Sequence, residues 1–160
     1  MAYPRTFFLN LSRQKISVGI IKNENYQILD SFDPNEPAGN QSLKKLFLLT
    51  KALNTNDPSV EVILPDDIIE YETFISETIP TSEKVKEVLA KRKQLSTSEI
   101  QVTLGENAGS RAISIAFIET SIIEELRNFI TKAGFKIKCF RAGKNIAGFT
   151  KNHKLFPEFQ

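Results

Sequence analysis

Alternating apolar and polar positions in the first 64 residues predict three strands, a helix and a fourth strand. Three apolar-rich runs separated by short polar segments indicate a meander, and they lie at 6–11, 15–21 and 26–32. Prolines and a glycine at 33–39 favour a loop. Asn40 can cap the helix, whose stripe recurs at spacings of three and four through Leu43, Leu46, Phe47, Thr50 and Leu53. The β-branched run at 60–64 is typical of a buried strand.

The pattern after residue 68 predicts a strand, a helix, a hairpin, a second helix and a closing strand. Pro80 ends the first strand, and Thr81 or Ser82 can cap a helix that ends near Gln94. Glycines at 105 and 109 bracket a turn that favours a hairpin. The strands are expected at 68–79, 100–104, 112–118 and 135–140. This order is a βαββαβ unit.

The second helix of this unit has the clearest boundaries in the sequence. Ser121 followed by Glu124 predicts a capping box, and Gly134 can supply the left-handed residue after the last turn. The whole chain is therefore predicted to have an α/β (α+β) fold. Its expected parts are a βββαβ subdomain at 1–68, a ferredoxin-like βαββαβ subdomain at 69–142 and an irregular basic tail at 143–160.

Composition is that of a soluble globular chain. Hydrophobic residues make up 41% and charged residues 25% of the 160 positions, which argues against a disordered, collagenous or membrane-embedded chain. The single cysteine, Cys139, cannot form an internal disulfide, and the N-terminus lacks the pattern of a secretory signal. The longest apolar runs are too short for a membrane span. A cytoplasmic location is expected.

Charge is unevenly distributed, although the net charge is only +2. Nine acidic side chains lie between Asp57 and Glu87, whereas the segment from Arg127 to Lys154 has basic side chains and no Asp or Glu. The basic segment is either a solvated face or a contact surface for an acidic protein, lipid headgroups or nucleic acid. The candidate contact residues are Arg127, Lys132, Lys136, Lys138, Arg141 and Lys144.

Residue types and spacing predict no catalytic, metal or cofactor site. The only histidine, His153, lies in the predicted tail, and Cys139 lies in a predicted strand, which indicates a structural thiol. One His and one Cys do not supply the four ligands of a zinc site. The segment at 142–145 lacks the earlier glycine and the Ser or Thr of a phosphate loop. We expect a non-enzyme without a cofactor.

RNA-recognition domains also have the βαββαβ order, and they read bases with aromatic side chains on their central strands. The aromatic segment at 7–11 lies upstream of the βαββαβ unit, and 111–117 has aliphatic residues where the stacking aromatics are required. Nucleic acid is therefore not an expected partner.

The order βββαβ followed by βαββαβ resembles the actin-like assembly proteins of type IV pili and the cytoplasmic domain of the type II secretion L component. Two strands that end in an apolar-Pro pair carry the resemblance, together with the Ala-Gly-apolar end of the later helix. These segments are 60–65, 74–80 and 133–135. The resemblance runs nearly the whole length, and it implies the N-terminal part of an actin-like fold.

The resemblance also implies where a nucleotide would bind. Nucleotide-binding members carry Asp-x-Gly in the first hairpin, and the matching positions here are Asn10 and Ser12, followed by Arg13. Asn10 replaces the metal-coordinating carboxylate, and Ser12 replaces the glycine that lets the backbone approach a phosphate. ATP hydrolysis is therefore not expected.

The function implied by the resemblance is a non-catalytic cytoplasmic scaffold or docking module of a pilus- or secretion-type assembly. Its partners would be other assembly or secretion proteins, which could hold it at the inner membrane. One alternative is a nucleotide-binding half-site completed by dimerisation, and another is polyanion binding by the basic C-terminal region. An unpaired edge strand, at 6–11 or at 135–140, could also pair with a second copy to give a homodimer.

Overall fold

Two β-sheets and three α-helices form the computed structural model, which describes residues 6–22, 25–37, 39–53, 59–75, 80–105, 112–143, 149 and 153–159. The strands are β1 Phe7–Asn10, β2 Ile16–Lys22, β3 Asn25–Phe32, β4 Ser59–Ile63, β5 Glu70–Ile75, β6 Ile100–Leu104, β7 Ala112–Glu119, β8 Lys136–Arg141 and β9 Lys154–Leu155. The helices are α1 Gly39–Leu53, α2 Ser82–Lys93 and α3 Thr120–Lys132. Short 3-10 turns lie at Asp66–Ile68, Thr97–Glu99 and Pro157–Phe159.

The larger sheet has six strands in the order β3-β2-β1-β4-β8-β9. Strands β1, β4 and β8 run parallel to one another, and the other neighbours are antiparallel. Buried residues of α1 and α3 share one core with this sheet, because the apolar side chains on one side of each helix are buried together with those of the strands. Among its fully buried members are Leu43, Leu46, Ile130, Leu9, Val60, Val62 and Phe140.

The smaller sheet has three antiparallel strands in the order β5-β7-β6. Helix α2 covers one face, where Val85, Leu89 and Ala90 form a second core with residues of β6 and β7. Residues Ala116 and Ile118 of β7 belong instead to the core of the larger sheet. The two sheets are therefore joined by shared buried residues.

The predicted order of strands and helices is confirmed, but the closing strand does not complete the second sheet. Strand β8 pairs with β4 on one side and β9 on the other, and β1 lies between β2 and β4. The expectation that 6–11 or 135–140 is an unpaired edge was therefore wrong. An apolar pattern indicates that a strand is buried but does not specify its neighbours. The elements of 69–142 are consequently divided between two sheets.

The predicted irregular tail is also corrected in its described part. Strand β9 pairs with β8, and both Leu155 and Phe156 are buried. The backbone N–H of Phe156 donates a hydrogen bond to Thr103 Oγ1 on β6. A two-residue strand among lysines carries too few positions to show an alternating pattern, so the sequence did not indicate it.

Helix boundaries confirm some capping predictions and overturn two. Helix α1 begins at Gly39, so Asn40 lies within the helix and not at the predicted cap position. Thr81 Oγ1 accepts a hydrogen bond from the Lys84 N–H at 3.2 Å, so Thr81 caps α2 as predicted. Helix α3 starts earlier than expected, with Glu119 as its N-cap and no side-chain cap, so the predicted box at Ser121 was wrong. Gly134 has the predicted positive φ of +117°. Within the described ranges, no helix has both the length and the apolar character needed to cross a membrane.

Candidate docking site

The carboxyl ends of the three parallel strands meet at one edge of the larger sheet. The Leu11 N–H donates to the Ile63 carbonyl at 3.1 Å, and the Leu64 N–H donates to the Arg141 carbonyl at 3.0 Å. These bonds continue the β1–β4 and β4–β8 ladders into the turns that follow. Ligands of open α/β sheets bind at this edge, since the turns after neighbouring strands face each other there.

The end of β1 and the turn that follows it carry the three residues singled out in the first hairpin. Ser12 Oγ accepts hydrogen bonds from the Gln14 N–H at 3.2 Å and the Lys15 N–H at 3.0 Å, so its hydroxyl stabilises the turn. The side chain of Asn35 donates to the Arg13 carbonyl at 3.0 Å. The Arg13 guanidinium pairs with Asp67, which lies in the turn after β4.

A cleft of about 400 Å³ lies between these turns. Its lining brings together Asn10, Ser12 and Arg13 with residues that follow β4 and β8, namely Leu64, Pro65, Asp66, Asp67 and Gly143. A Cβ added to Gly143 would lie 3.2 Å from the Leu64 carbonyl oxygen, so the backbone segments approach closely. The structure therefore brings the three hairpin residues together with the turns that follow β4 and β8.

Two carboxylates, Asp66 and Asp67, line the cleft, and the Asp67 carboxylate is paired with Arg13. Asn10 adds an amide at the end of β1. Among the described residues, no group of three His, Cys, Asp or Glu side chains is arranged to hold a metal ion. The polar groups that the cleft presents are therefore amides, a hydroxyl, a guanidinium and two carboxylates.

An apolar groove of about 500 Å³ adjoins the cleft. Helix α3 contributes Glu125 and the apolar residues Ile122, Leu126 and Phe129, and the apolar residues of the opposite wall include Leu11, Ile16, Pro34 and Ile68. Ile122 is 37% exposed, so this wall is open to solvent. Arg13 and Asp67 line both the groove and the cleft, and their ion pair therefore separates an apolar compartment from a polar one.

Sequence reasoning did not identify the groove. Its walls come from segments more than a hundred positions apart, such as Leu11 and Ile122, and the sequence contains no pattern that pairs them. The available signal was the position of Ile122 at the start of an amphipathic helix, which predicts burial or a contact but not its partner.

A buried polar cluster crosses the middle of the larger sheet. Glu61 on β4 accepts a hydrogen bond from Arg141 Nη2 at 2.9 Å and another from Cys139 Sγ at 3.4 Å, both on β8. Burial alone would raise the pKa of Glu61, but the hydrogen bond and charge of Arg141 hold that pKa below its ordinary value. Burial, with the nearby Glu61 carboxylate, raises the pKa of the Cys139 thiol, which is consistent with the predicted structural role.

Two of the six candidate basic contact residues take part in contacts within the chain. Arg141 is held by Glu61, and Arg127 lies over the Phe159 ring at 4.4 Å and donates to the Phe159 carbonyl at 3.2 Å. The lysines at 132, 136 and 138 are exposed, and Lys144 lies outside the described residues. Two of the six residues therefore have structural contacts that occupy their guanidinium groups.

Comparison with solved structures finds the same fold in two assembly components. One is the cytoplasmic domain of EpsL, an inner membrane component of the type II secretion system of Vibrio cholerae, with a TM-score of 0.56, 13% identity, and coverage of 84% of this chain and 55% of that one. Another is a chain of the PilM-PilN type IV pilus biogenesis complex, with a TM-score of 0.60, 13% identity, and coverage of 86% and 47%.

A looser likeness, with a TM-score of 0.45, 16% identity and coverage of 86% and 51%, is to a Bacteroides thetaiotaomicron protein of actin-like ATPase fold and unknown function. No protein-family model and no curated protein matches the sequence. This chain spans about half the length of the solved chains it resembles. It therefore has a mixed α/β fold that forms part of known type II secretion and type IV pilus components, as the sequence resemblance predicted.

Proposed function

We propose that this chain is a non-catalytic docking module of a pilus- or secretion-type assembly, which acts by contact with other assembly proteins on the cytoplasmic side of the inner membrane. The observation that carries the proposal is an open apolar groove beside the first hairpin, in a fold shared with two assembly components. One of these is a cytoplasmic domain of an inner membrane component, and the other is in a biogenesis complex.

The first hairpin supports a role without nucleotide chemistry. The Ser12 hydroxyl is used by backbone N–H groups of its own turn, and the Arg13 guanidinium is paired with Asp67. Neither side chain is positioned to act as a general base, and Asn10 carries no charge for a metal. This arrangement favours a structural use of the edge at which actin-like enzymes would bind a nucleotide.

The groove has the chemistry of a protein-docking site. Its two walls present aliphatic and aromatic side chains, and the Arg13–Asp67 pair and Glu125 supply polar groups at its margin. Apolar grooves of this kind accept a few anchoring side chains of a partner segment, while the polar margin fixes its orientation. We infer that an apolar segment of an assembly protein binds here.

A second candidate function is nucleotide binding by a half-site that dimerisation completes. The adjoining cleft favours it, because its volume of about 400 Å³ leaves room for a small polar ligand. Isothermal titration with Mg-ATP distinguishes the two. The docking proposal predicts no binding heat at micromolar to millimolar ATP, whereas a micromolar affinity would favour the half-site.

The docking proposal is tested by affinity purification of the tagged chain from its native host, followed by mass spectrometry. We expect enrichment of envelope assembly or secretion components over a tagged control of similar size. Recovery of no such component, from cells grown under conditions in which the assembly is made, would count against the proposal.

A further inference from the structure

The outer edge of β5 lacks the features that protect the other described sheet edges. Strand β3 has a register irregularity opposite Val18 and Gly19, and β9 has only two residues. Strand β6 lies against the turn at Pro157–Phe159. None of the described strands pairs with the outer edge of Glu70–Ile75, although the Phe149 ring lies 5.6 Å from the Tyr71 ring on this strand. Unprotected edge strands are templates for pairing with another chain.

Strand β5 is regular, and each of its two carboxylates is paired with a basic residue of α2. It pairs with β7 through six successive residues without a bulge, so its free edge offers an uninterrupted row of backbone groups. Charged side chains normally protect such an edge, but Glu70 is paired with Lys93 at 3.0 Å and Glu72 with Arg92 at 2.7 Å. At the far end, Ile75 is 79% exposed. These features favour strand addition over protection.

We propose that β5 pairs with β5 of a second copy, so that two three-stranded sheets join into one six-stranded antiparallel sheet. A two-fold axis makes this contact self-complementary, since each copy gives and receives the same surface. The pairing must keep each side chain on its own face of the sheet. Because side chains alternate along a strand, one residue must then lie opposite its own copy at the two-fold axis. The axis cannot lie midway between two residues of the strand.

The side chains select the register centred on Thr73. In that register Thr73 lies opposite its own copy, and Tyr71 lies opposite Ile75. Threonine pairs and pairs of aromatic with β-branched residues are favourable across antiparallel strands. A register centred on Glu72 would instead place two carboxylates opposite each other, which is unfavourable.

The contact is small, so the dimer forms reversibly. A strand of six residues, with α2 on the same face of each copy, buries less area than a typical stable dimer. We expect a dissociation constant of about 10–100 µM. The contact does not involve the apolar groove, and the Ile122→Glu substitution in the groove leaves the dimer unchanged.

Sedimentation velocity of the full chain over a concentration series tests the pairing, with circular dichroism to confirm folding. The wild-type chain forms dimers, while Thr73→Lys and Thr73→Glu each weaken association at least about tenfold, because like charges meet on the axis. An equimolar mixture of the two variants restores a dimer, which only pairing across position 73 explains. The control Ile28→Lys, at a 45% exposed position on β3, dimerises like the wild type.

Cysteine cross-linking gives an independent readout, since the natural Cys139 is buried. Thr73→Cys forms a disulfide-linked dimer under mild oxidation, and Ile28→Cys does not. A wild-type chain that remains monomeric up to about 0.5 mM overturns the proposal. So does a dimer that Thr73→Lys leaves intact. The proposal is also overturned if the wild-type chain is monomeric and binds a different protein that the Thr73→Lys variant does not bind. That result would assign the edge of β5 to that protein.

Discussion

Glu61 is a carboxylate in the middle of a buried parallel strand, and its partner Arg141 comes from the neighbouring strand. The side chain of Glu61 is 9% exposed and that of Arg141 is 20% exposed, so water screens this pair weakly. Removing one partner from such a pair leaves a charge that is desolvated and uncompensated. The pair therefore fixes the alignment of β4 with β8.

The first prediction concerns this pair. We expect Arg141→Ala to lower the free energy of unfolding by about 3 kcal/mol, measured by urea denaturation. The matched control is Arg92→Ala, whose partner Glu72 lies on the surface, and there we expect a loss below about 1 kcal/mol. Equal losses in the two variants would show that burial does not strengthen the Glu61–Arg141 interaction.

The pH dependence of stability follows from the direction of the Glu61 shift. Its pKa is lower in the folded state than its ordinary value of 4.5, so its contribution is complete above about pH 4.5 and is lost as the pH falls through the folded-state pKa. The difference in unfolding free energy between wild type and Glu61→Gln should therefore be large near neutral pH and shrink in acid. A difference that grows on acidification would contradict this assignment.

Sequence reasoning reached only one part of this cluster. Cys139 was predicted to be a structural thiol, which its 2% exposure supports. The sequence did not predict the contact between Glu61 and Arg141, because these residues are 80 positions apart and their contact depends on the pairing of β4 with β8. Arg141 was consequently assigned to a basic surface.

Two helices end in the left-handed conformation with different residues. Helix α3 is followed by Gly134 at φ +117°, and a Cβ there would lie 2.6 Å from a ring carbon of Phe47. Helix α2 is followed by Gln94 at φ +58°, a conformation that costs a non-glycine residue about 1 kcal/mol. Both ends have a positive φ, but the value at Gly134 lies further from the conformation that a non-glycine residue such as Gln94 can adopt.

The element-scale prediction is a pair of opposite substitutions. Gly134→Ala should lower the free energy of unfolding by about 2 kcal/mol or more, because it adds both backbone strain and a steric clash. Gln94→Gly should raise it by about 0.5–1 kcal/mol, since glycine relieves the left-handed strain on an exposed residue. Thermal or urea unfolding measures both, and the same sign for both changes would refute the account.

Local patterns predicted the elements well and their neighbours poorly. The alternation in 100–104 and 112–118 was sufficient for the β6–β7 hairpin, because hairpin partners are adjacent in sequence. Strand β8 was placed in the wrong sheet, since its partner β4 precedes it by more than seventy positions. The capping box predicted at Ser121 was wrong because the chain enters α3 directly from β7, with Glu119 as the N-cap.

At the scale of the whole molecule, the parallel strands place two compartments side by side. The first hairpin, the turn after β4 and α3 enclose the apolar groove, and the Arg13–Asp67 pair separates it from the cleft. The sequence resemblance located the hairpin residues, but the groove required the three-dimensional arrangement. In our account, the fold retains the geometry of a ligand-binding edge and uses its apolar side for protein contact.

The central claim is that this groove binds an assembly partner, and its most direct test is parallel capture from the native host with three tagged chains. These are the wild type, the groove variant Ile122→Glu and the control Ile28→Glu, which changes an exposed isoleucine on β3. We predict that wild type and control recover the same envelope assembly component. The Ile122→Glu chain should recover at least about tenfold less of that component while remaining folded. Equal recovery by all three chains would contradict the claim.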